Sequence, residues 1–268
     1  MSTARKTAGD QPWWQARAVP EGRTLHLTLG PLDLAIGRSR PTWLIRIGRQ
    51  PEADSEARLK SRVARGLPEP YDERFVQADE TDTIRLEPVL ADRSIVIRPR
   101  QPIHLPGHEE ITLYLSTPVY LRILAGSPPV LLREVPSLVL SDTWFGPSTQ
   151  EGELCYAGRT QARHRIEELP LRPHRAITPL LIRNRADTIL PLEKISLPVP
   201  MLSLYGAADA SLWTQRVTLV REGNSDLAKV SVDAKAPDPG VPIEKLAGPR
   251  KDPSRFGLVR AFSVLFGS

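Results

Sequence analysis

Prolines are spread through almost the whole chain and limit the secondary structure that it can form. The sequence has 27 prolines in 268 residues, roughly twice the usual share. Because proline lacks a backbone N–H and clashes with the preceding helical turn, long helices are excluded over most of the chain. Between the prolines, apolar and polar residues alternate in short runs, as at Leu25, Leu27 and Leu29. A period of two residues is typical of half-buried strands.

Similar alternating runs recur along the chain and are separated by proline, glycine or aspartate. We therefore predict a mainly β protein, with antiparallel strands in a sandwich-like arrangement. The predicted strands lie at residues 25–29, 32–36, 43–47, 84–86, 94–98, 111–115, 119–124, 137–140, 153–157, 177–183, 189–192, 202–205, 217–221 and 227–232.

Two segments break this pattern and predict short helices. Residues 52–67 contain no proline, and Leu59, Val63 and Leu67 recur at every fourth residue, which places them on one helical face. Near the end of the chain, residues 255–266 form an apolar stripe at three- and four-residue steps, typical of an amphipathic helix. Its three phenylalanines are predicted to dock on the protein's own sheet or, alternatively, on a partner or a membrane surface; they are Phe256, Phe262 and Phe266.

The composition also divides the chain into segments. Residues 1–12 are small and polar and are predicted to be flexible, whereas residues 234–253 hold five prolines and predict an extended connector. The Gly- and Pro-containing stretch at 125–129 predicts a boundary between two β halves, at 13–125 and 130–233. The predicted C-terminal helix occupies the remaining segment, 254–268.

Cysteine content and hydropathy indicate a compartment. Cys155 is the only cysteine, so no disulfide framework can form. The longest stretch without a charged residue, 195–208, has 14 residues, whereas a membrane-spanning helix needs about 20. These features, together with the absence of a secretory signal pattern, predict a cytoplasmic protein without a transmembrane segment.

Several short motifs resemble those of one protein family. They are Leu-Gly-Pro-Leu at 29–32, Ser-Asp-Thr-Trp-Phe-Gly-Pro at 141–147, Gly-Glu-Leu-Cys-Tyr at 152–156 and Leu-Trp-Thr at 212–214. In these motifs the chain resembles a prokaryotic family classified only as a domain of unknown function, from Trp13 to the C-terminus. The resemblance implies a bacterial or other prokaryotic origin and one evolutionary unit, and it implies no catalytic or binding residue.

The search for catalytic and metal motifs is mostly negative. The chain has no nucleophile elbow, phosphate-binding loop, dinucleotide-binding glycine motif or paired-histidine zinc motif. His104 and His108 flank a Pro-Gly turn but lack a third defined ligand, so we predict that they are solvent-exposed turn residues. The sequence therefore predicts no metal and no cofactor, and it favours a protein that is not an enzyme.

The positive charge of the chain is concentrated in one segment. The formal net charge is +5, and residues 159–185, with seven arginines and two glutamates, carry a net charge of +5 by themselves. If the strands on either side of this segment pair, its arginines form a patch of planar donors suited to carboxylate or phosphate. The patch residues are Arg159, Arg163, Arg165, Arg183 and Arg185.

We therefore predict a non-enzymatic interaction module that binds an acidic protein or an anionic ligand through this arginine face. Nucleic acid is disfavoured, because the patch lacks the stacking aromatic residues that single strands require. The alternative is a hydrolase-type enzyme whose acid–base groups come from residues 151–174. Its candidate residues are Glu151, Glu153, His164 and His174.

Overall fold

The computed structural model describes residues 12–51, 58–77, 81–99, 101–146, 148–160, 163–223, 227–252 and 258–260. Within these ranges the chain forms a long succession of short strands. They are β1 Arg17–Ala18, β2 Arg23–Leu29, β3 Leu32–Ser39, β4 Thr42–Arg49, β5 Leu59–Arg65, β6 Glu73–Val76, β7 Thr83–Val89, β8 Ile95–Pro99, β9 Ile103–Leu105, β10 Glu110–Pro118, β11 Tyr120–Ala125, β12 Val130–Pro136, β13 Ser141–Phe145, β14 Glu153–Thr160, β15 Arg175–Asn184, β16 Leu190–Leu192, β17 Ile195–Leu197, β18 Leu204–Ala207, β19 Leu212–Thr214, β20 Val217–Arg221, β21 Leu227–Val232, β22 Ile243–Ala247 and β23 Leu258–Arg260.

The mainly β prediction is confirmed, and most strand pairs are antiparallel. Parallel pairs also occur in the described part of the chain, where β14 pairs with β8, and β15 pairs with both β19 and β20. The alternation of apolar residues does not distinguish the two kinds of pair, because the side-chain period is two in both.

The strands fall into two compact units that are interleaved along the chain. Unit 1 runs to Pro88 and includes Tyr120–Ser137, and unit 2 consists of Val89–Val119 and the chain from Leu138 onward. The Gly- and Pro-containing stretch at 125–129 is the turn of the β11–β12 hairpin inside unit 1.

Unit 1 contains a five-stranded antiparallel sheet in the order β5-β2-β3-β4-β6 and a four-stranded sheet in the order β1-β7-β11-β12. On one face of the five-stranded sheet the alternate residues are apolar and buried, as predicted for Leu25, Leu27 and Leu29. The opposite face presents polar positions such as His26 and Thr28, which are half-buried. The hydrophobic core therefore covers one side of this sheet and leaves much of the other side polar.

Unit 2 contains an eight-stranded sheet built around β15, a four-stranded sheet in the order β13-β14-β8-β17 and the two-stranded pair β16-β9. β15 has strands on both sides, since it pairs with β10 on one edge and with β19 and β20 on the other. Most of its residues are buried irrespective of parity, which is the pattern of a central strand covered on both faces.

The predicted helix at 52–67 is wrong over residues 59–65, which form β5 and pair with β2 from Leu59↔Leu29 to Arg65↔Arg23. Residues four apart also lie on one face of a strand, because the side chains of a strand alternate with a period of two. Pairing with β2 provides hydrogen-bond partners for the backbone of the segment. Residues 52–57 of that prediction lie outside the described residues. In the described part of the chain we find no α-helix, only 3₁₀ turns such as Ile166–Glu168 and Val199–Met201.

The predicted C-terminal helix is wrong over Leu258–Arg260, which form β23 and pair antiparallel with β21. Pairing with the edge of the eight-stranded sheet stabilises this segment, whereas an isolated helix of about 12 residues is only marginally stable in water. Phe256, Phe262 and Phe266 lie outside the described residues. The Pro-rich segment before them also joins the sheet, because β22 pairs with β18.

No helix in the described ranges is long and apolar enough to span a membrane.

Candidate functional site

The predicted arginine patch lies in unit 2, and its two C-terminal members are paired with carboxylates. Arg183, near the end of β15, places Nε 2.8 Å from Oε2 of Glu110 on β10. Arg185, just after β15, places Nη1 3.3 Å from Oε1 of Glu222. Since each guanidinium already has an acidic partner at the surface, the field that these two residues present to a ligand is reduced.

The N-terminal members of the patch lie elsewhere in unit 2. Arg159 is in β14, which belongs to a different sheet from β15, so the strand pairing on which the patch depended is not formed. Arg163 forms an isolated β-bridge with Tyr114 on β10, and Arg165 is exposed just before the Ile166–Glu168 turn. The structure brings Arg163 beside β10 but does not bring the five predicted residues into one described surface.

Part of the charge in this segment is structural. Arg175, at the start of β15, is buried, donates from Nε to the Ser116 hydroxyl (3.1 Å) and from Nη2 to the Ser116 carbonyl (2.7 Å). Between Arg183 and Arg185, Asn184 is also buried and donates to the carbonyls of Leu105 and Pro106. Arginine content alone therefore overstates how much of this charge faces solvent.

The residues of the predicted hydrolase site differ in accessibility. Glu151 and Glu153 are exposed around the turn that leads into β14, and His164 is exposed. His174 is fully buried, directly before β15. A substrate in solvent therefore has no access to the His174 ring, which removes one of the proposed acid–base groups from reach.

The two histidines that flank the Pro-Gly turn lie at the surface, His104 in β9 and His108 after the turn. His104 and His108 are both exposed, and His108 Nε2 lies 2.9 Å from Asp187 Oδ1. No cluster of three or more metal-ligating side chains occurs among the described residues.

Among the described residues, a group of cationic side chains without a carboxylate partner lies in unit 1, on the polar face of the five-stranded sheet. A groove with a volume of about 810 Å³ lies on this face. We call it the basic groove and define it by the residues that each strand contributes: Lys60 and Arg62 of β5, His26 and Thr28 of β2, Asp33 and Ala35 of β3, and Arg46 and Gly48 of β4.

Strand register explains why these residues meet. Cross-strand partners share one face of a sheet, and the pairs Arg62↔His26, His26↔Ala35 and Ala35↔Arg46 form one row across four strands. The row therefore has a cationic side chain at each end and the small Ala35 near its middle. The next row begins with Lys60↔Thr28 and ends at Gly48, which is also small.

A packed loop covers the same face beyond the groove. A Cβ atom at Gly37 would lie 2.3 Å from Cδ of Pro68, so the absence of a side chain at Gly37 lets Pro68 rest directly on β3. Thr24 on β2 supports the loop by donating from its hydroxyl to the Gly66 carbonyl (2.7 Å). The loop closes this part of the sheet face and leaves the rows that contain Ala35 and Gly48 open.

The carboxylate in the groove, Asp33, forms hydrogen bonds with neutral donors and no ion pair with the cations. Asp33 Oδ1 accepts a hydrogen bond from the Thr28 hydroxyl (2.7 Å), and Oδ2 accepts one from Gln50 Nε2 (2.6 Å). Within the described part of the chain, no carboxylate forms an ion pair with Arg46, Lys60 or Arg62, and all three are exposed. Their charges therefore face the groove without an acidic partner.

His26 lies between Arg62 and Arg46 in the row across the sheet. Burial lowers the pKa of its imidazole below the ordinary value, and the positive charges of Arg62 and Arg46 lower it further. A cation field strong enough to disfavour protonation of a neighbouring ring is also one that attracts an anion. Titratable groups perturbed in this way are concentrated at functional sites.

The groove was not predicted from the sequence, because the four-residue spacing of apolar residues placed Lys60 and Arg62 on a predicted helix. The signal was present in the alternation of residues 59–65, which puts Lys60 and Arg62 on one face of a strand. His26 and Thr28 were correctly predicted on the polar face of β2. The pairing of β5 with β2, which brings Lys60 and Arg62 beside Thr28 and His26, could not be read from the sequence.

The structure thus defines the class of the molecule: a mainly β protein of two sheet-built units, one of which carries a basic groove. The chain belongs to a family described as "Protein of unknown function (DUF432)", whose sequence model matches residues 13–266. The resemblance seen in the sequence motifs is thereby confirmed. No match was found among curated proteins or among solved structures.

Proposed function

We propose that this protein is a non-enzymatic binding module for an anionic ligand and that the basic groove is its binding site. The observation that carries the proposal is the set of exposed cations beside His26, namely Arg46, Lys60 and Arg62, which have no carboxylate partner in the described chain. The proposal keeps the anionic ligand predicted from the sequence and moves its site from unit 2 to unit 1.

The shape of the groove supports a ligand of small-molecule size. Its volume of about 810 Å³ falls within the usual range of ligand pockets, ~300–1,000 Å³. The planar guanidinium groups of Arg46 and Arg62 provide several N–H donors each, a geometry suited to carboxylate or phosphate oxygens. An acidic protein surface, the other partner predicted from the sequence, is tested below as a competing occupant.

The surface around Arg183 and Arg185 is a weaker candidate for the same function. Both guanidiniums are paired with glutamates at the surface, and an anion would have to compete with those carboxylates. The binding role predicted from the sequence for Arg159, Arg163 and Arg165 stays a prediction. For the compartment we propose the cytoplasm, supported by Cys155, a free and buried thiol.

Isothermal titration calorimetry with pyrophosphate tests the proposal. We expect saturable binding to the wild type that weakens as NaCl is raised, because salt screens exposed charges. The double variant Arg46→Gln/Arg62→Gln should lose more than about tenfold in affinity, since a hydrogen bond to a charged group contributes about 1.5–3 kcal/mol.

Arg65→Gln is the matched control. Arg65 is an exposed arginine of the same strand as Arg62, at the alternate parity, so the variant removes an equal charge from β5 outside the groove. Binding that is absent in the wild type, or weakened equally by Arg65→Gln, would contradict the proposal. Binding of a polyglutamate peptide but not of pyrophosphate would favour the acidic protein instead.

A further inference from the structure

We infer that the basic groove binds the phosphoryl group of a small phosphorylated molecule and that the imidazole of His26 takes up a proton when this dianion enters. The inference rests on the proposed function and deepens it, because it names the chemistry of the ligand and a pH dependence of its binding. Two features of the groove carry it: the placement of cations on opposite sides of Ala35, and the position of His26 between them.

The row across the sheet favours a ligand group with several oxygens. Arg62 on β5 and Arg46 on β4 are three strand spacings apart, roughly 14 Å at about 4.8 Å per spacing. Both side chains are long enough to extend over the strands between them, where Ala35 contributes only a methyl group to the groove lining. A tetrahedral phosphoryl group presents oxygens in several directions and can accept from both sides, whereas a planar carboxylate matches one guanidinium.

The size of the groove favours a phosphorylated molecule over free phosphate. A volume of about 810 Å³ is much larger than a single oxyanion, so the remaining space accommodates an organic moiety. Thr28 and Gln50 are polar neighbours on this face, although both donate to Asp33 in the structure. We therefore assign the ligand to the class of small phosphomonoesters.

The surroundings of His26 couple anion binding to protonation. The charged groups that line the groove with His26 are Arg62 and Lys60 from β5, Arg46 from β4 and Asp33 from β3. Arg62 and Arg46 share its row across the sheet. Burial and the two guanidiniums hold the pKa of His26 below its ordinary value, so the ring is neutral near pH 7. A dianion beside the ring offsets the guanidinium charges and favours the imidazolium form.

The sign of the pH dependence follows from linkage. If the anion raises the pKa of His26, protonation of His26 strengthens anion binding by the same factor. The anion affinity is then highest at acidic pH and falls as the pH rises through the titration range of His26 in the complex. Asp33, the carboxylate of the groove, accepts hydrogen bonds from the neutral donors Thr28 and Gln50.

Sulfate is the suitable probe, because it stays a dianion over the range in which a phosphate monoester, with a second pKa of about 6, changes its own charge. The ring proton signals of His26 are followed by NMR from pH 5 to 8 with and without sulfate, at ionic strength matched with NaCl. We expect sulfate to raise the pKa of His26 and to bind about fivefold or more tightly at pH 5.5 than at pH 7.5. His104, exposed in unit 2, is the internal control and should not respond.

His26→Gln makes the test specific, and its sulfate affinity should be the same at both pH values. Sulfate binding in the wild type that does not change with pH, with an unchanged His26 titration, would overturn the inference while leaving the proposed anion site intact. Complete absence of sulfate binding at both pH values, together with absence of pyrophosphate binding, would overturn both.

A comparison of two further ligands tests the assignment to phosphomonoesters. At pH 7.5 we expect glycerol 3-phosphate to bind more tightly than inorganic phosphate, and we expect acetate to bind more weakly than either. Tighter binding of inorganic phosphate would overturn the organic part of the assignment. Acetate binding as tight as sulfate binding would overturn the requirement for a dianion.

Discussion

Cys155 shows how completely its surroundings determine the chemistry of a single residue. Its side chain is fully buried against Val96 and Phe145. Burial, and then the negative charge of Glu153, raise the pKa of the thiol to about 12. The thiol is therefore protonated and inert at neutral pH, because the nucleophile of cysteine chemistry is the thiolate.

Cys155 should consequently resist alkylation in the folded protein. At pH 8 the thiolate fraction is on the order of 1,000-fold smaller than that of an ordinary cysteine with a pKa near 8.5, and the sulfur is also inaccessible. We expect iodoacetamide, followed by mass spectrometry, to modify the thiol rapidly in 8 M urea and very slowly in buffer. The control is Thr149→Cys in a Cys155→Ala background, since Thr149 is exposed and its replacement should react at once. Rapid labelling of native Cys155 would contradict the buried environment.

The same pKa shift has a defined effect on stability. The folded-state pKa of the thiol lies above its unfolded value. Its contribution to the free energy of unfolding is therefore fully present below about pH 8.5 and is lost as the pH rises toward 12. His26 acts in the opposite direction. Its folded-state pKa is lowered, so its contribution is present above about pH 6.5 and is lost as the pH falls.

At the level of residues, sequence patterns predicted burial better than charge pairing. The alternation at Leu25, Leu27 and Leu29 correctly assigned the buried and polar faces of β2. The ion pairs of Arg183 with Glu110 and of Arg185 with Glu222 could not be predicted, because the partners are distant in sequence. Charge density along the chain therefore pointed to unit 2, where much of the charge is already paired.

At the level of elements, the groove depends on how a loop packs on a strand. Gly37 of β3 gives Pro68 room to rest on the sheet, whereas a Cβ atom at Gly48 of β4 would make only ordinary contacts at 3.4 Å and 3.5 Å with Asp33. Neither glycine is in the left-handed conformation. Gly37 and Gly48 lie on neighbouring strands and differ in the space available for a Cβ atom, so each serves as a control for the other.

Gly37→Ala should destabilise unit 1. The added methyl would lie 2.3 Å from Pro68 Cδ, and relief of such overpacking typically costs about 1–3 kcal/mol of the free energy of unfolding. Gly48→Ala should change stability by less than about 1 kcal/mol or raise it slightly, because alanine lowers the entropy of the unfolded chain. Thermal and urea unfolding measure both. Equal stability of the two variants would show that Pro68 does not pack on β3 as described.

The misassigned β5 shows where element prediction from this sequence fails. Leu59, Val63 and Leu67 fit a helical face and a strand face equally well, because a spacing of four is a multiple of two. Local signals favoured a helix. The segment forms a strand instead because it pairs with the edge of β2. The same reasoning applies to Leu258–Arg260, whose partner β21 lies some thirty residues earlier. Prediction of the basic groove required this information about strand pairing, which the sequence alone does not contain.

At the level of the whole molecule, the composition predicted the fold class, and the pairing of distant segments determined the rest. Proline spacing and apolar alternation were sufficient for a mainly β protein. The interleaving of the two units and the parallel pairs of β14 and β15 depend on contacts between distant segments. Family membership covers residues 13–266 and adds no site residue, so the assignment of function depends on the basic groove.

The central claim is that the anion site of this protein is the basic groove of unit 1. Backbone amide NMR shifts of the wild type, recorded during a pyrophosphate titration, test it at the resolution of single residues. We expect saturable changes concentrated at β2, β3, β4 and β5 around His26, Ala35, Gly48 and Arg62, and these changes should disappear in Arg46→Gln/Arg62→Gln. Changes centred on Arg183 and Arg185 in unit 2, or no saturable change at all, would contradict the claim.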